Sequence, residues 1–453
     1  MAYLEPGAYL KYRNMGALQG TGAPAQLPLI IGTGADTMIV SEVITRAAEG
    51  QVDTLPEATW KRIVSVGYTE KSKDFEANTH YTFDAKKGQI TWKTEQSAVI
   101  PKEGEKYVVV AECEAPESRY ELQLVYPDTY REVYGETDFT NGEKPEVNKL
   151  VVGLKAAFGA GAPVAYALQI KPASETVTAS DYEKALGKVK TVADVYRVVP
   201  MDLSNDINAV VDAHINNCSS YEERMERVAR YSYAGKTDTF DDVLTKVGGF
   251  AAGKASRRVC VPYPNKATMT LSDGELHEVD GAVISAAIAG LQSYLPGYQS
   301  ATRSTISVFD SLVGIEMTRV EKNKLAEKGV LILEQPSGAG TPISIRHQLT
   351  TDMSSVATKE SSITSIRDHV AQRYRNVAEA YIGKYNITPD TITRITGSLK
   401  STTQDMVQEG WILETSQITS VAQDINNPDT LIIEAKVDVP YPCNYIKITV
   451  IAD

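Results

Sequence analysis

Glycine pairs, scattered histidines and lone cysteines are the residues from which this chain could build chemistry, and their spacing forms no catalytic set. Gly32-Thr33-Gly34 follows the apolar run Leu29-Ile30-Ile31, where a dinucleotide-binding loop would begin. The third glycine of that fingerprint is missing, with Thr37 in its place, and no clear helix follows to present amides to a pyrophosphate. A tight turn leaving a strand accounts for the pair more simply. Gly159-Ala160-Gly161 precedes a strand instead of following one, and Gly338-Ala339-Gly340 lies in a polar loop. Neither a GxxxxGK[ST] phosphate loop nor a GxSxG nucleophile elbow occurs. His80, His214, His277, His347 and His369 make no HxxxH or HxH pair. Cys113, Cys218, Cys260 and Cys443 stand far apart without CxxC spacing and read as isolated thiols of a reducing cytosol. The expectation is a chain with no cofactor, no metal and no enzymatic activity.

What remains is the chemistry of association, and it sits at the two ends. Ala8-Tyr9-Leu10-Lys11-Tyr12-Arg13 alternates between apolar and polar faces as a half-buried strand does. A Gly-, Ala- and Pro-rich run from Asn14 to Pro28 follows without a period. At the other end Tyr445-Ile446-Lys447-Ile448-Thr449-Val450-Ile451 alternates again, set apart by Pro440-Tyr441-Pro442, whose prolines lack ladder donors. A strand on a tether folds back locally or reaches a neighbour's sheet edge. With no catalytic signature between them, the two ends favour the neighbour, through Ala8, Tyr9, Leu10, Tyr12, Tyr445, Ile446, Ile448 and Val450. Tyrosine outnumbers phenylalanine, 24 to 7, which suits interfaces and the walls of β domains alike.

A formal net charge of −12 over 453 residues argues against direct nucleic-acid binding. No apolar run approaches the roughly 18 residues of a membrane span; the longest, Ala282 to Leu291, is broken by Ser285 and predicts a buried helix. No basic region followed by an apolar stretch opens the chain, so no signal peptide is expected.

The elements between the ends predict a multidomain chain, α/β and α+β. Residues 1–28 are an arm and tether, 29–140 a mainly β, antiparallel domain, and 141–333 a central α/β domain. Residues 334–439 form a C-terminal α+β domain and 440–453 a strand arm. Strands are expected at Gln89–Lys93, Tyr107–Ala111, Tyr120–Tyr126, Val164–Ile170, Val195–Val199 and Arg258–Val261, and helices at Glu146–Phe158, Asp206–Cys218 and Tyr221–Arg230. Strands alternating with helices imply a parallel sheet covered on both faces. From Ser362 to Lys384, Ile363, Ile366, Val370, Tyr374, Val377 and Tyr381 step by three and four, predicting an amphipathic helix. Arg367, Arg373, Arg375 and Lys384 are then candidates for a basic outer face. Leu431, Ile433, Ala435, Val437 and Val439 fill one face of a late strand.

In order and spacing, these pieces resemble the tail sheath proteins of contractile-tailed bacteriophages. Glu5-Pro6-Gly7-Ala8-Tyr9-Leu10 looks like the arm with which many sheath subunits begin, with Ala8 where Val is more usual. Ile90-Thr91-Trp92, Pro101, Gly104 and Tyr107-Val108-Val109 are similar to the sheath β domain. Leu349-Thr350-Thr351-Asp352, Lys359-Glu360, Ile366-Arg367-Asp368-His369-Val370 and Tyr381-Ile382-Gly383-Lys384-Tyr385-Asn386 resemble the sheath C-terminal domain, through to Pro442-Cys443-Asn444-Tyr445-Ile446-Lys447-Ile448-Thr449-Val450. The resemblance implies a structural subunit that stacks in hexameric rings around a tail tube and exchanges terminal strands with its neighbours. It implies contraction that drives the tube through a host envelope for genome ejection, with tube, baseplate and tail terminator proteins as partners. It implies residence in the virion tail after assembly in the host cytoplasm, with no nucleic-acid or membrane partner. Arg367, Arg373, Arg375 and Lys384 then become candidates to face the tube. The sheath of a tailocin or extracellular injection system is an alternative, and an α/β enzyme with extended termini is a more distant one.

Overall fold

A computed structural model describes residues 26–48, 52–93, 100–141, 144–336 and 341–449. The strand Leu27–Thr33 is buried almost throughout, as are Ala165–Ile170, Val195–Pro200 and Val259–Tyr263. Strands with no polar face must be covered on both sides, so they belong in the middle of a sheet. They do: the nine-stranded sheet runs Thr305–Ile306, Ile343–Ile345, Val330–Glu334, Val259–Tyr263, Val228–Arg230, Val195–Pro200, Leu27–Thr33, Ala165–Ile170, Gln123–Val125. Its interior pairs are parallel. Short antiparallel strands finish each side.

Alternate residues enter different layers. Ile30, Ala165, Ala167, Val199, Cys260 and Leu331 share one core with the helices Lys149–Gly159 and Gly281–Tyr294. The residues between them, among them Leu29, Ile31, Leu168 and Val198, are equally buried. The two helices meet where Gly290 lies against Ala157; a Cβ on Gly290 would stand 2.1 Å from the Ala157 carbonyl oxygen, so only glycine permits the approach.

Leu27–Thr33 pairs with Ala165–Ile170 on one side and Val195–Pro200 on the other. It therefore belongs to this sheet and not to the β domain at whose head the sequence placed it. Its position is the point where the winding reverses, the usual ligand crevice of such sheets. Here the chain's own groups occupy that point. Asp202 accepts from the Thr33 amide at 2.9 Å and hydroxyl at 2.7 Å, from Tyr182 at 3.0 Å and from Lys149 at 2.9 Å.

The segment Tyr221–Arg230, expected as a helix, instead turns and enters the sheet as Val228–Arg230. Its Arg227 guanidinium is buried and caps the carbonyls of Val189, Lys190 and Val192. The Val189 and Val192 carbonyls also accept from the Val192 and Val195 amides, so the guanidinium adds to the turn's own bonds.

A separate β region pairs Thr37–Thr45, Lys106–Glu114 and Trp60–Gly67 in one sheet and Asp53–Thr54, Gln89–Trp92 and Tyr81–Asp84 in another. Trp60, Phe75, Tyr81, Trp92 and Tyr107 fill the core of this region. Buried Asp53 accepts from Tyr107 at 2.6 Å and Trp92 at 2.7 Å, with Arg46 at 3.5 Å.

Residues 365–441 form a second compact unit, described here by itself. The helix Ser361–Glu379 enters it, and the helix Pro389–Gln408 follows. The second helix was not foreseen, although Thr388 caps it and Pro389 occupies its first turn, a recognised start signal. Tyr374 and Val377 of the first helix, and Tyr381 just beyond its end, pack with Ile395 and Leu399 of the second and with Ile418. The unit ends in an antiparallel hairpin, Gln417–Gln423 with Leu431–Lys436. Among the described residues neither edge of that hairpin carries a third strand. No described helix is long and apolar enough to cross a membrane.

Candidate functional site

The root of the C-terminal arm is built from residues far apart in sequence. After the strand Ile343–Ile345 the chain passes through His347 and Gln348, and Leu349 bridges to Glu360. The chain packs closely here: Gly329, at φ +82°, lies where a Cβ would meet the Thr351 backbone at 2.8 Å. Glu360 is fully buried, so its carboxylate must be answered by donors. His347 Nε2 stands 2.7 Å from Oε1, Gln348 donates to Oε2 at 3.3 Å, and Asn444 donates to Oε1 at 2.9 Å. Asn444 thus ties the arm to the body through a charge-assisted bond, worth about 1.5–3 kcal/mol.

Beyond this anchor the arm is uncovered. Tyr445, Ile446 and Ile448 are 75%, 79% and 81% exposed. They carry no strand pairing among the described residues. Here three apolar side chains of an unpaired segment lie in water beside a fixed root.

A buried polar chain runs inward from the same root. Gln348 accepts from Ser361 at 3.2 Å, and Ser361 accepts from Gln292 at 3.2 Å. Gln292 in turn accepts from Arg230 at 2.8 Å. Beside Arg230, the buried Arg197 donates to the Gln26 carbonyl at 2.5 Å, where the N-terminal tether meets the body. Burial first, and then the neighbouring Arg230 charge, pull the Arg197 pKa down to about 9. Both arm roots therefore rest on one buried region of the large body.

No protein-family model matches the chain. The tail sheath protein of Mycobacterium phage Bxz1 is 23% identical over 333 residues, 72% of this chain and 55% of that protein. The chain thus spans about half the length of the curated relative it matches. A chain from the contracted baseplate of the anti-feeding prophage superposes at a TM-score of 0.60, with 12% identity over 100% of this chain and 99% of that one. The helical sheath of the same prophage, contracted, gives 0.55 at 11% identity over 100% of both chains. The contracted sheath complex of the extracellular contractile injection system PVC gives 0.54 at 12%, over 100% and 99%. This chain has the fold of a contractile sheath subunit.

Within the sheath fold, the residues singled out by sequence fare unequally. Ala8, Tyr9, Leu10, Tyr12 and Val450 lie outside the described residues. The helix Ser361–Glu379 is present but ends before Gly383, whose φ is +74°, and Lys384 is exposed beyond it. Arg373 is not on an open basic face. It is 8% exposed, and its guanidinium meets both Glu409 carboxylate oxygens, at 3.3 and 3.1 Å. The unforeseen helix Pro389–Gln408 explains this, because Glu409 caps its end. Arg367 and Arg375 are half-buried. His369 stacks on Trp411 at 3.7 Å, and burial followed by Arg373 holds its pKa at about 3.

Sequence reasoning missed the set His347, Glu360 and Asn444. Glu360 and Asn444 lie in separate motifs 84 residues apart, and nothing local shows that they meet.

Proposed function

We propose that this chain is a structural, non-enzymatic subunit of a contractile sheath, polymerising as stacked hexameric rings around a tail tube. A rooted but uncovered arm, in the same chain as a hairpin with uncompleted edges, is the observation that carries the reading. Each subunit would lend strands through its ends, the residues before Gln26 and those after Asn444, and accept strands on the hairpin of residues 417–436; Leu27 and Pro28, expected in the N-terminal arm, are instead part of the central sheet. A head-to-tail contact of this kind does not close on itself, which is the symmetry a filament needs. Contraction would then rearrange subunit bodies while the exchanged strands keep them linked.

Tube, baseplate and terminator proteins are the partners this reading requires, with assembly in the host cytoplasm and residence in the virion tail. Arg367, Arg375 and Lys384 remain the candidates for the tube face, without Arg373. Similarity to the prophage and PVC assemblies favours a second reading, the sheath of an extracellular injection system, which differs in cargo and not in mechanism.

Deletion of residues 446–453 tests the reading while sparing Asn444, so that Glu360 keeps its donor. The truncated chain is expected to stay folded and monomeric and to form no long tubes in negative-stain micrographs. Tubes of normal length would refute strand exchange through this arm.

A further inference from the structure

Beside the C-terminal arm root lies a groove of about 700 Å³, whose floor includes Ala326, Val330, Ile332 and Leu349. Its rim is basic on a chain of net charge −12. Arg303, Lys322 and Arg346 stand 3.7, 3.5 and 3.0 Å from a single carboxylate, that of Glu334. Arg319 and Lys359 add to this surplus, and Glu327 is the only further acid lining the groove among the described residues. An apolar floor inside a cationic rim fits an apolar tip flanked by acids.

The chain carries such a tip. The loop joining Gln417–Gln423 to Leu431–Lys436 presents Ile425 at 96% exposure, with Asp424 before it and Asp429 after it. Glu414 and Glu434 are exposed on the same hairpin region. We propose that the groove of one subunit receives the acidic hairpin tip of a second copy. The proposal rests on the sheath reading and sharpens it.

Reach supports the match. Residues 445–453 can extend at most about 30 Å beyond Asn444, at roughly 3.3 Å per residue. A neighbour's hairpin that accepts this arm along its length therefore begins its pairing close to Tyr445, which lines the groove. If the arm pairs antiparallel to Gln417–Gln423, the tip of that hairpin lies at the arm's root. The rim charges then set register and partner choice, as complementary charges do at interfaces. Their grip weakens with salt, since the Debye length is about 8 Å at physiological ionic strength.

Two measurements test this. Arg303→Glu with Arg319→Glu, and separately Asp429→Lys with Glu434→Lys, should each raise the concentration needed for tube formation roughly tenfold. Combining all four changes should restore assembly toward wild type. For the second measurement, an Ile425→Cys, Cys443→Ser chain is mixed with wild type and treated with a short bismaleimide. Cys443 is the exposed native thiol, while Cys113, Cys218 and Cys260 are buried. A covalent pair of chains within tubes is the expected product. Tube formation by both reversal variants at the wild-type concentration, together with no covalent pair in the mixed tubes, would overturn the proposal and leave the sheath reading standing. A wild-type chain that assembles in no condition would remove both.

Discussion

The nine-stranded sheet and the small hairpin finish their edges in opposite ways. The sheet closes on one side with Gln123–Val125 and on the other with Thr305–Ile306, strands of three and two residues. Edges that short offer little template for a stray strand. The hairpin's strands run for seven and six residues, and among the described residues both outer edges are open. A two-stranded hairpin is marginal alone, and more strands are needed for independent stability. The contrast separates a sheet finished at both edges within one chain from a hairpin whose edges are open among the described residues. On the strand-exchange reading proposed above, the body would hold the arm roots fixed and the hairpin would take what the arms deliver.

The largest effect expected within this contrast is in the body. Gly290→Val would drive a branched side chain against the Ala157 carbonyl and part the two core helices. It should cost about 3 kcal/mol or more, read by denaturant unfolding. A loss below about 1 kcal/mol would mean that the body is looser than its packing implies.

Acid is expected to weaken both regions. His214 in the body and His369 in the smaller unit are held neutral, each near pKa 3, chiefly by burial. The unfolded chain binds a proton near pH 6.5 and the folded chain does not, so stability falls as pH drops from about 6.5 toward 3. At pH 5 each histidine should cost about 2 kcal/mol. Fluorescence of Trp411, stacked on His369, reports the smaller unit, while Trp60 and Trp92 report the β region of the body. His369→Gln should remove most of the acid sensitivity from the Trp411 signal alone.

The smallest effect on the isolated subunit belongs to the arm. Ile448→Ser touches a residue 81% exposed and should change monomer stability by no more than about 0.5 kcal/mol. Tube formation should nonetheless drop measurably in sedimentation. Equal loss of stability and assembly would place Ile448 in the body's own core and blur the contrast.

Much of this architecture was legible in the sequence, because periodicity reports which face of an element is buried. The all-apolar run around Leu29–Ile31, the stripe from Ile363 to Tyr381 and the helix over Ala282–Leu291 announce how each segment meets its surroundings, whereas the alternation after Tyr445 has no strand to match it among the described residues. What periodicity does not report is the partner. Leu27–Thr33 was free to join any sheet until its pairing with Ala165–Ile170 and Val195–Pro200 fixed it at the centre. Arg373 looked like a surface charge until Glu409, 36 residues on, enclosed it. Glu360 and Asn444 are 84 residues apart, and only the folded chain brings the donor to the buried carboxylate. Local patterns follow from the geometry of a single helix or strand, whereas these contacts depend on how distant segments close upon one another. The sequence alone therefore marked the buried central strands and the amphipathic helix, while the tertiary structure decided which segments they meet and where Asn444 is held.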